Sequence, residues 1–219
     1  MHYHATPEDH AVLEKKGFLL VDSGATYMDG TTDITRTYPL GELTEDEKRF
    51  YTWTLQSHID LARAVWLDYC ECKMIDTIAR EPLWRHLINY RCGTGHSVSF
   101  VGNVHEGPHA LNSRNTTRMR PGMVVTDEPG VYETDLVGIR IENELVCIHK
   151  ADNQYGTFLG FEPLTFVPIA TSPILPGVLD KDELAWLNDY HRQVFAKLAP
   201  HLNAEERVWL AEKCASIGC

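Results

Sequence analysis

Apolar and polar positions form two short strand-like segments near the start of the chain. Phe18 to Asp22 are an apolar run that ends in an acid, and Asp33 to Tyr38 alternate as a half-buried strand does. Between them lie Ser23-Gly24 and Asp29-Gly30, two dipeptides typical of turns. The pattern predicts a β-hairpin.

Helical periodicity follows in four places. Thr44 and Glu47 have the spacing of a capping box, and the apolar positions beyond them predict one long amphipathic helix that runs to Val65. Met74 to Ile88 predict a second helix, which Pro82 would kink or split. Two more helices are predicted near the C-terminus, where capping pairs precede apolar faces: Asp180 with Glu183, and Asn203 with Glu206.

The middle of the chain favours strands over helices. Strand patterns cover Val124 to Thr126, Gly138 to Ile148 and Phe161 to Ile169. The prolines of residues 163–177 indicate a segment that wraps the surface. Helices and strands do not alternate in a βαβ rhythm, so we expect an α+β fold. We expect residues 1–219 to form a single domain, with residues 170–219 as a C-terminal helical extension.

Composition and charge exclude several classes of protein. The formal net charge of −11 disfavours nucleic acid as a partner, because a duplex binder needs a basic face. No apolar run is long enough to predict a membrane span, and the polar N-terminus does not resemble a signal peptide. The six cysteines contain no CxxC pair, which favours a reduced, cytoplasmic protein.

Four acids occupy positions where a charge is costly. Asp22 and Asp33 belong to the predicted hairpin, Glu128 follows an apolar run, and Glu142 lies within a predicted strand. A buried carboxylate needs a partner or a metal ion. Any one of them could form a salt bridge or cap a strand, and Arg36 and Arg140 are available as partners. Four such acids together favour a cation site.

His96 is the candidate nitrogen ligand of this site. It lies in the glycine-rich segment from Cys92 to Val98, where the backbone can approach another group closely. A histidine among glycines is by itself more often structural or exposed. Beside four carboxylates in energetically unfavourable positions, it completes an oxygen-rich site. Such a donor set favours Mn²⁺, with Co²⁺, Fe²⁺ and Zn²⁺ as alternatives. Five side chains with bridging carboxylates suffice for two divalent ions.

The segments that carry these residues resemble the pita-bread metallopeptidases, and within them the cytosolic type of aminopeptidase P. The resemblance continues through residues 161–169 and 186–191, so it covers nearly the whole chain. It implies a pita-bread (creatinase/aminopeptidase-like) fold, in which flanking helices cover a curved antiparallel sheet. The segments that carry it are VDSGATYMDGTTDITRT (21–37), GTGHSVSFVGNVHEGP (93–108), MVVTDEPGVYE (123–133) and GIRIENELV (138–146).

The resemblance also implies a role for each site residue. Asp22, Asp33, His96, Glu128 and Glu142 would hold two metal ions. His105 and His2 match histidines that face the substrate, and Arg140 matches an arginine that orders the acidic cluster.

The implied activity is hydrolysis of the Xaa-Pro bond at the N-terminus of a peptide. Two cations would lower the pKa of a bound water, and the hydroxide would attack the carbonyl of the first residue. Glu128 would move a proton to the leaving nitrogen, and His105 would stabilise the oxyanion. Specificity for a peptide with proline at its second position enters through the resemblance alone.

The sequence departs from the family pattern in two ways. Cys92 replaces a histidine, and Ser97 and Ser99 replace glycines of the family's HGTGHGVG segment. Relatives of this type also have a longer N-terminal part, which implies an N-terminally truncated catalytic domain. Two alternatives stay open: an Xaa-Pro dipeptidase of the prolidase kind, and a weakly active or inactive pita-bread binding module. A homodimer is possible.

Overall fold

The computed structural model describes residues 5–218 and has an α+β architecture, as predicted. His2 lies outside the described residues. The first half of the described chain contains β1 (Phe18–Tyr27), β2 (Gly30–Pro39), α1 (Glu45–Ala62), β3 (Val65–Leu67), α2 (Cys72–Trp84), β4 (Gly95–His96) and β5 (Ala110–Leu111). The second half contains β6 (Val124–Asp127), β7 (Gly130–Glu133), β8 (Val137–Arg140), β9 (Asn143–Asn153), β10 (Gly156–Pro163), α3 (Lys181–Leu198) and α4 (Ala204–Lys213).

The predicted hairpin is present, and its strands are longer than the sequence pattern indicated. β1 and β2 pair antiparallel along ten residues each, with Asp22 opposite Thr35 and Gly24 opposite Asp33. The turn follows Tyr27 and precedes Gly30. Ser23-Gly24 was wrongly predicted as a turn, because both residues are paired within β1. The pairing places the two hairpin acids two register positions apart.

The main sheet has the strand order β3-β10-β9-β6, and all of its neighbours are antiparallel. The single strand predicted over Gly138 to Ile148 is wrong, since β8 ends at Arg140 and β9 begins at Asn143. At the break, the Glu142 N–H donates to the carbonyl of Thr35 in the hairpin. The prediction for Phe161 to Ile169 is displaced, because β10 already ends at Pro163.

The predicted helices are present with shifted bounds. α1 begins with the capping box of Thr44 and Glu47 that the sequence indicated. α2 begins at Cys72 and ends at Trp84, so the predicted extension to Ile88 is wrong. Pro82 lies in the last turn of α2, where its missing N–H and its ring weaken the hydrogen bonding of the turn before it. The capping boxes of α3 and α4 are both formed.

Helix α1 separates the two main hydrophobic clusters. One cluster packs the main sheet against α2, with Ile75, Leu145 and Leu159 fully or nearly fully buried. The other packs α1 against α3, α4 and β8. Ile169 belongs to this second cluster, so the proline-rich segment of residues 163–177 also inserts into the core. The hairpin in turn packs against β8 and β9.

Candidate metal centre

A cavity of about 820 Å³ opens between the hairpin, the loop around His96 and the strands β7 and β8. It brings together every candidate residue that the structure describes, although these residues are far apart in the sequence. The cavity is lined by the proposed ligands and their neighbours: Asp22, Asp33, Cys92, His96, His105, Glu128, Tyr132, Arg140 and Glu142.

Backbone contacts with β6 place the His96 side chain. The His96 N–H donates to Thr126 Oγ1 at 2.9 Å, and ring atom Nδ1 lies 3.2 Å from the carbonyl oxygen of Ser97. Because a carbonyl only accepts, Nδ1 is the donor and Nε2 remains available. Gly95 permits this approach, since a Cβ there would lie 1.8 Å from the Thr126 carbonyl oxygen.

Helix α2 anchors the chain that leads to His96. Arg80 donates to the backbone carbonyls of Tyr90 and Cys92, both at 2.8 Å, and pairs with Asp76 at 2.7 Å. The Thr94 hydroxyl donates to Asp76 Oδ1 at 2.5 Å. These buried, charge-assisted contacts hold the glycine-rich segment in place. The sequence pattern gave no indication of this support.

Asp33, His96 and Glu142 form the tightest group of potential ligands. One ligand atom from each of the three lies within 4.8 Å of the others. His96 Nε2 is 3.5 Å from Asp33 Oδ2 and 3.1 Å from Glu128 Oε1. The hydroxyls of Thr35 and Thr126 donate to Glu142 and Glu128, which orients both carboxylates. Two carboxylates and one imidazole therefore form one group, and Glu128 joins it through its contact with His96.

Burial and mutual repulsion make these carboxylates difficult to ionise. Burial is the largest cause that raises the pKa of Asp33 to about 6, which His96 opposes and Asp22 and Glu128 reinforce. Burial, followed by the charges of Glu128 and Asp33, raises the pKa of Glu142 well above its usual range. For His96, burial lowers the pKa, but Glu128, the Ser97 carbonyl and Asp33 together outweigh it, so the pKa is raised. An oxygen-rich donor set of this charge fits divalent cations.

Asp22 differs from the other three acids. Its side chain is 49% exposed, so the expectation that all four carboxylates are buried is wrong for this residue. Its Oδ2 accepts from Arg140 Nη2 at 2.5 Å at the rim of the cavity. An antiparallel hairpin can leave one of its faces open to solvent. The apolar pattern of the sequence does not reveal that Asp22 lies on such an open face.

Arg140 connects several groups of the site. Its guanidinium donates to Asp22, to the Tyr132 hydroxyl at 2.6 Å and to Thr35 Oγ1 at 3.0 Å. Nε also lies 3.8 Å from Glu128 Oε2. Arg36, the other candidate partner of the acids, instead donates to backbone carbonyls and to Asn143 Oδ1. Arg140 thus contacts two of the four candidate acids, Asp22 and Glu128.

His105 lies next to His96 in the wall of the cavity. The two rings are 4.0 Å apart between centroids and meet edge to face. His105 is exposed and lines the cavity, so its ring is accessible to a molecule that enters the cavity.

Sequence reasoning missed three kinds of residue around the centre. The hydroxyls of Thr35 and Thr126 donate to the proposed ligands Glu142 and Glu128, and the Tyr132 hydroxyl accepts from Arg140. Behind Glu128, the fully buried Asp127 lies with Oδ2 3.1 Å from His58 Nδ1. Side chains alternate between the two faces of a strand, so the sequence could have placed Asp127 and Glu128 on opposite faces of β6. The pairing of Asp127 with His58 on α1 depends on tertiary packing.

The residues that depart from the family pattern occupy different surroundings. Cys92 is half-buried and lines the cavity, and burial raises the pKa of its thiol. Ser97 is buried, and the isolated bridge that it forms with Val125 ties the His96 loop to β6. Ser99 donates to the carbonyl of Asn103 at 2.6 Å. The fold accommodates all three side chains.

The raised carboxyl pKa values predict how the stability of the metal-free protein depends on pH. The folded state retains protons at Asp33 and Glu142 that the unfolded chain releases, so the free energy of unfolding decreases as pH rises. For Asp33 this decrease in the free energy of unfolding occurs between pH 3.8, its ordinary pKa, and about pH 6. The slope is about 1 kcal/mol per pH unit for each carboxyl.

Urea unfolding of chelator-treated protein between pH 4 and pH 8 measures this slope. Asp33→Asn should reduce it, and Mn²⁺ should stabilise the protein more at pH 8 than at pH 5, because ligands must be deprotonated. A metal-free protein whose stability rises over this range, with Asp33→Asn behaving identically, would contradict the assignment.

The fold and the oxygen-rich cluster define a metal-binding α+β protein with a deep, acidic cavity. Residues 1–149 match the model of metallopeptidase family M24, and residues 157–217 match the C-terminal region of peptidase M24. The chain therefore belongs to metallopeptidase family M24, as its resemblance to the pita-bread metallopeptidases implied.

Its relatives include aminopeptidases P. The chain is 40% identical to the probable Xaa-Pro aminopeptidase P of Laccaria bicolor over 225 residues, which cover 99% of this chain and 35% of that protein. It is 43% identical to aminopeptidase P2 of Arabidopsis thaliana, over 96% of this chain and 30% of that protein. The chain thus spans about a third of the length of these relatives.

Solved structures agree on the fold. X-prolyl aminopeptidase from Caenorhabditis elegans, described as a cytosolic enzyme with a di-nuclear active site, matches with a TM-score of 0.86 and 40% identity. The match covers 90% of this chain and 33% of that one. Prolidase from Pyrococcus furiosus matches with a TM-score of 0.60 and 28% identity, over 69% of this chain and 42% of that one. The pita-bread fold is confirmed, and the likeness to aminopeptidase P is the stronger one.

Proposed function

We propose that this chain is the catalytic domain of a metallo-aminopeptidase that hydrolyses the Xaa-Pro bond at the N-terminus of a peptide. The observation that carries the proposal is the convergence of Asp33, His96 and Glu142 within 4.8 Å at the base of an open cavity. Identity of about 40% to Xaa-Pro aminopeptidases P supports the substrate class. Residues 1–219 act as one domain in this proposal, with residues 170–219 as its helical extension.

Two divalent ions would be held by Asp22, Asp33, His96, Glu128 and Glu142. Such ions supply a nucleophile at neutral pH by lowering the pKa of bound water. Reorientation of the exposed Asp22 carboxylate from Arg140 towards the cavity would complete the set. We favour Mn²⁺ because most of the ligands are carboxylate oxygens, and Co²⁺, Fe²⁺ and Zn²⁺ are the alternatives.

The side chains around the ligands provide the remaining functions. Glu128 lines the cavity beside His96, and its carboxylate would accept a proton from water and pass it to the leaving nitrogen. His105 is exposed towards the same space and would donate a hydrogen bond to the developing oxyanion. Arg140 keeps Asp22 and Glu128 oriented. We assign His2 to the substrate-facing side on the resemblance alone.

The acidity of the cavity supports exopeptidase behaviour. Four carboxylates and one arginine line it, so it attracts the free α-amino group of a peptide. The proposed partner is accordingly a peptide with proline at its second position. The description of the Caenorhabditis elegans enzyme as cytosolic supports a cytoplasmic location. In the described part of the chain, no helix is long and apolar enough to cross a membrane. A homodimer stays a prediction.

Removal and restoration of metal tests the proposal. We expect chelator-treated protein to release the first residue of an X-Pro-Pro tripeptide only after Mn²⁺ is restored, with little release from a peptide that lacks proline. Equal or faster cleavage of an X-Pro dipeptide would favour the prolidase alternative. Folded, Mn²⁺-binding protein that cleaves none of the three would contradict the proposed activity and favour the binding module.

A further inference from the structure

The pairing of β6 with β9 ends directly beside two of the proposed metal ligands. Asp127, the last residue of β6, is paired with Asn143, the first residue of β9. The N–H groups of the next residues, Glu128 and Glu142, donate instead to carbonyls of the His96 loop and of the hairpin, at 2.8 and 3.1 Å. The ladder between the two strands therefore ends one residue short of both ligands.

His58 of α1 contacts both residues of this last pair. Its Nδ1 lies 3.2 Å from the Asp127 carbonyl oxygen and 3.1 Å from Asp127 Oδ2, and its Nε2 lies 3.3 Å from Asn143 Nδ2. All three residues are fully buried. Side chains alternate between the two faces of a strand, so this buried pair faces away from the cavity that Glu128 and Glu142 line. His58 thus supports the two strands from behind the metal centre.

The hydrogen-bond donors and acceptors around His58 fit one arrangement. A carbonyl only accepts, so Nδ1 carries the proton and donates to Asp127. Arg36 orients the Asn143 amide, because its Nη2 donates to Oδ1 at 2.8 Å and leaves Nδ2 to donate to His58 Nε2. Trp186 packs edge to face against the ring, with the centroids 5.9 Å apart. One ring therefore donates to the end of β6 and accepts from the start of β9.

The Asp127 carboxylate depends on the same ring. Among the described residues neither of its oxygens has a hydrogen-bond donor of suitable geometry, and His58 is its only ion-pair partner. A buried carboxylate without a partner is destabilising. Removal of the His58 ring would leave this carboxylate and the Asn143 amide uncompensated beside the ligands, so the end of the strand pair would have to rearrange.

We propose that His58 is a positioning residue of the metal centre. By holding the last pair of β6 and β9 together, it sets the spacing between Glu128, which follows Asp127, and Glu142, which precedes Asn143. Two ions in one site lie about 3.5–4 Å apart, so a change in the spacing of the carboxylates weakens the binding of the pair. This role rests on the two-ion centre of the proposed function, but not on the peptide that the centre acts upon.

Titration of chelator-treated protein with Mn²⁺, followed by electron paramagnetic resonance, tests the role of His58. Two ions that share a bridging ligand give an exchange-coupled spectrum, whereas isolated Mn²⁺ ions give a resolved hyperfine pattern. We expect the unaltered protein to bind two ions with a coupled spectrum. His58→Leu removes both polar contacts and should weaken Mn²⁺ binding about tenfold and reduce the coupled signal, because loss of groups that orient ligands costs about 10–100-fold in affinity.

Two further variants separate positioning from packing. His58→Gln can still donate to Asp127 and accept from Asn143, so it should restore most of the affinity and of the coupled spectrum. His191→Leu removes a second fully buried histidine, whose Nε2 accepts from the Ile169 N–H at 3.1 Å, and should bind Mn²⁺ as the unaltered protein does. If His58→Leu does not fold, His58→Asn takes its place, because asparagine is too short to reach both residues of the pair.

Metal binding is measured without any peptide, so the role of His58 can fail separately from the proposed peptidase activity. Weaker, uncoupled Mn²⁺ in His58→Leu that His58→Gln restores supports the role, whether or not a peptide is cleaved. Unchanged affinity and spectrum in folded His58→Leu overturn it, even if the unaltered protein cleaves an X-Pro-Pro tripeptide. Losses in His58→Gln or His191→Leu that equal those in His58→Leu also overturn it, because packing would then explain the effect. Unaltered protein that binds fewer than two ions overturns both proposals.

Discussion

His96→Ala is expected to abolish tight metal binding. His96 presents Nε2 to Asp33 and Glu128, and the contact of Nδ1 with the Ser97 carbonyl oxygen holds the ring in that orientation. Loss of a residue that merely supports a ligand costs 10–100-fold in affinity, so loss of the ligand should cost on the order of 100-fold or more. Titration of chelator-treated protein with Mn²⁺ measures the effect.

Two other variants make this result specific. His201→Ala removes an exposed histidine far along the chain and should leave Mn²⁺ affinity unchanged. Cys92→His alters a cavity residue that we do not count as a ligand and should change the affinity much less than His96→Ala does. Equal losses in His96→Ala and Cys92→His would contradict the ligand assignment. Circular dichroism checks that each variant is folded.

Glu128→Gln should eliminate most of the turnover while the protein stays folded. Glutamine keeps the shape of the side chain and can accept from Thr126, but it cannot take up a proton or carry charge. Loss of a general acid–base group lowers the rate by about 10²–10⁴-fold. The measurement is kcat for an X-Pro-Pro tripeptide at a Mn²⁺ concentration that saturates the variant.

Saturation with metal matters because Glu128 is assigned two roles. If kcat recovers fully at high Mn²⁺, Glu128 acts only as a ligand, and the proton-transfer role is wrong. Glu133→Gln provides the matched control, since Glu133 is exposed at the end of β7 and does not line the cavity. It should keep both the affinity for metal and the turnover number.

Local patterns were sufficient where the determining interactions are local. The capping boxes at Thr44, Asp180 and Asn203 place the starts of α1, α3 and α4, because each cap involves residues three positions apart. The hairpin was predicted from its apolar runs, but Ser23-Gly24 was misread as a turn. Turn propensity was overridden there by pairing with Asp33 and Ile34 on β2.

Long-range contacts decided the elements that the patterns misplaced. The predicted strand over Gly138 to Ile148 is interrupted because the Glu142 N–H bonds to Thr35, a residue 107 positions away. The hydrophobic periodicity of a sequence segment contains no information about such a contact. The same contact places the Glu142 carboxylate beneath the hairpin, so the interruption creates part of the metal centre.

The candidate ligands were identifiable from sequence because carboxylates within apolar strands are energetically unfavourable unless they are compensated. The segments that contain Asp33, His96, Glu128 and Glu142 also resemble a known family. Their convergence, the exposure of Asp22 and its pairing with Arg140 were decided only by tertiary structure. The sequence determines which groups are available, whereas distances, burial and partners depend on how the hairpin packs against β8 and β9.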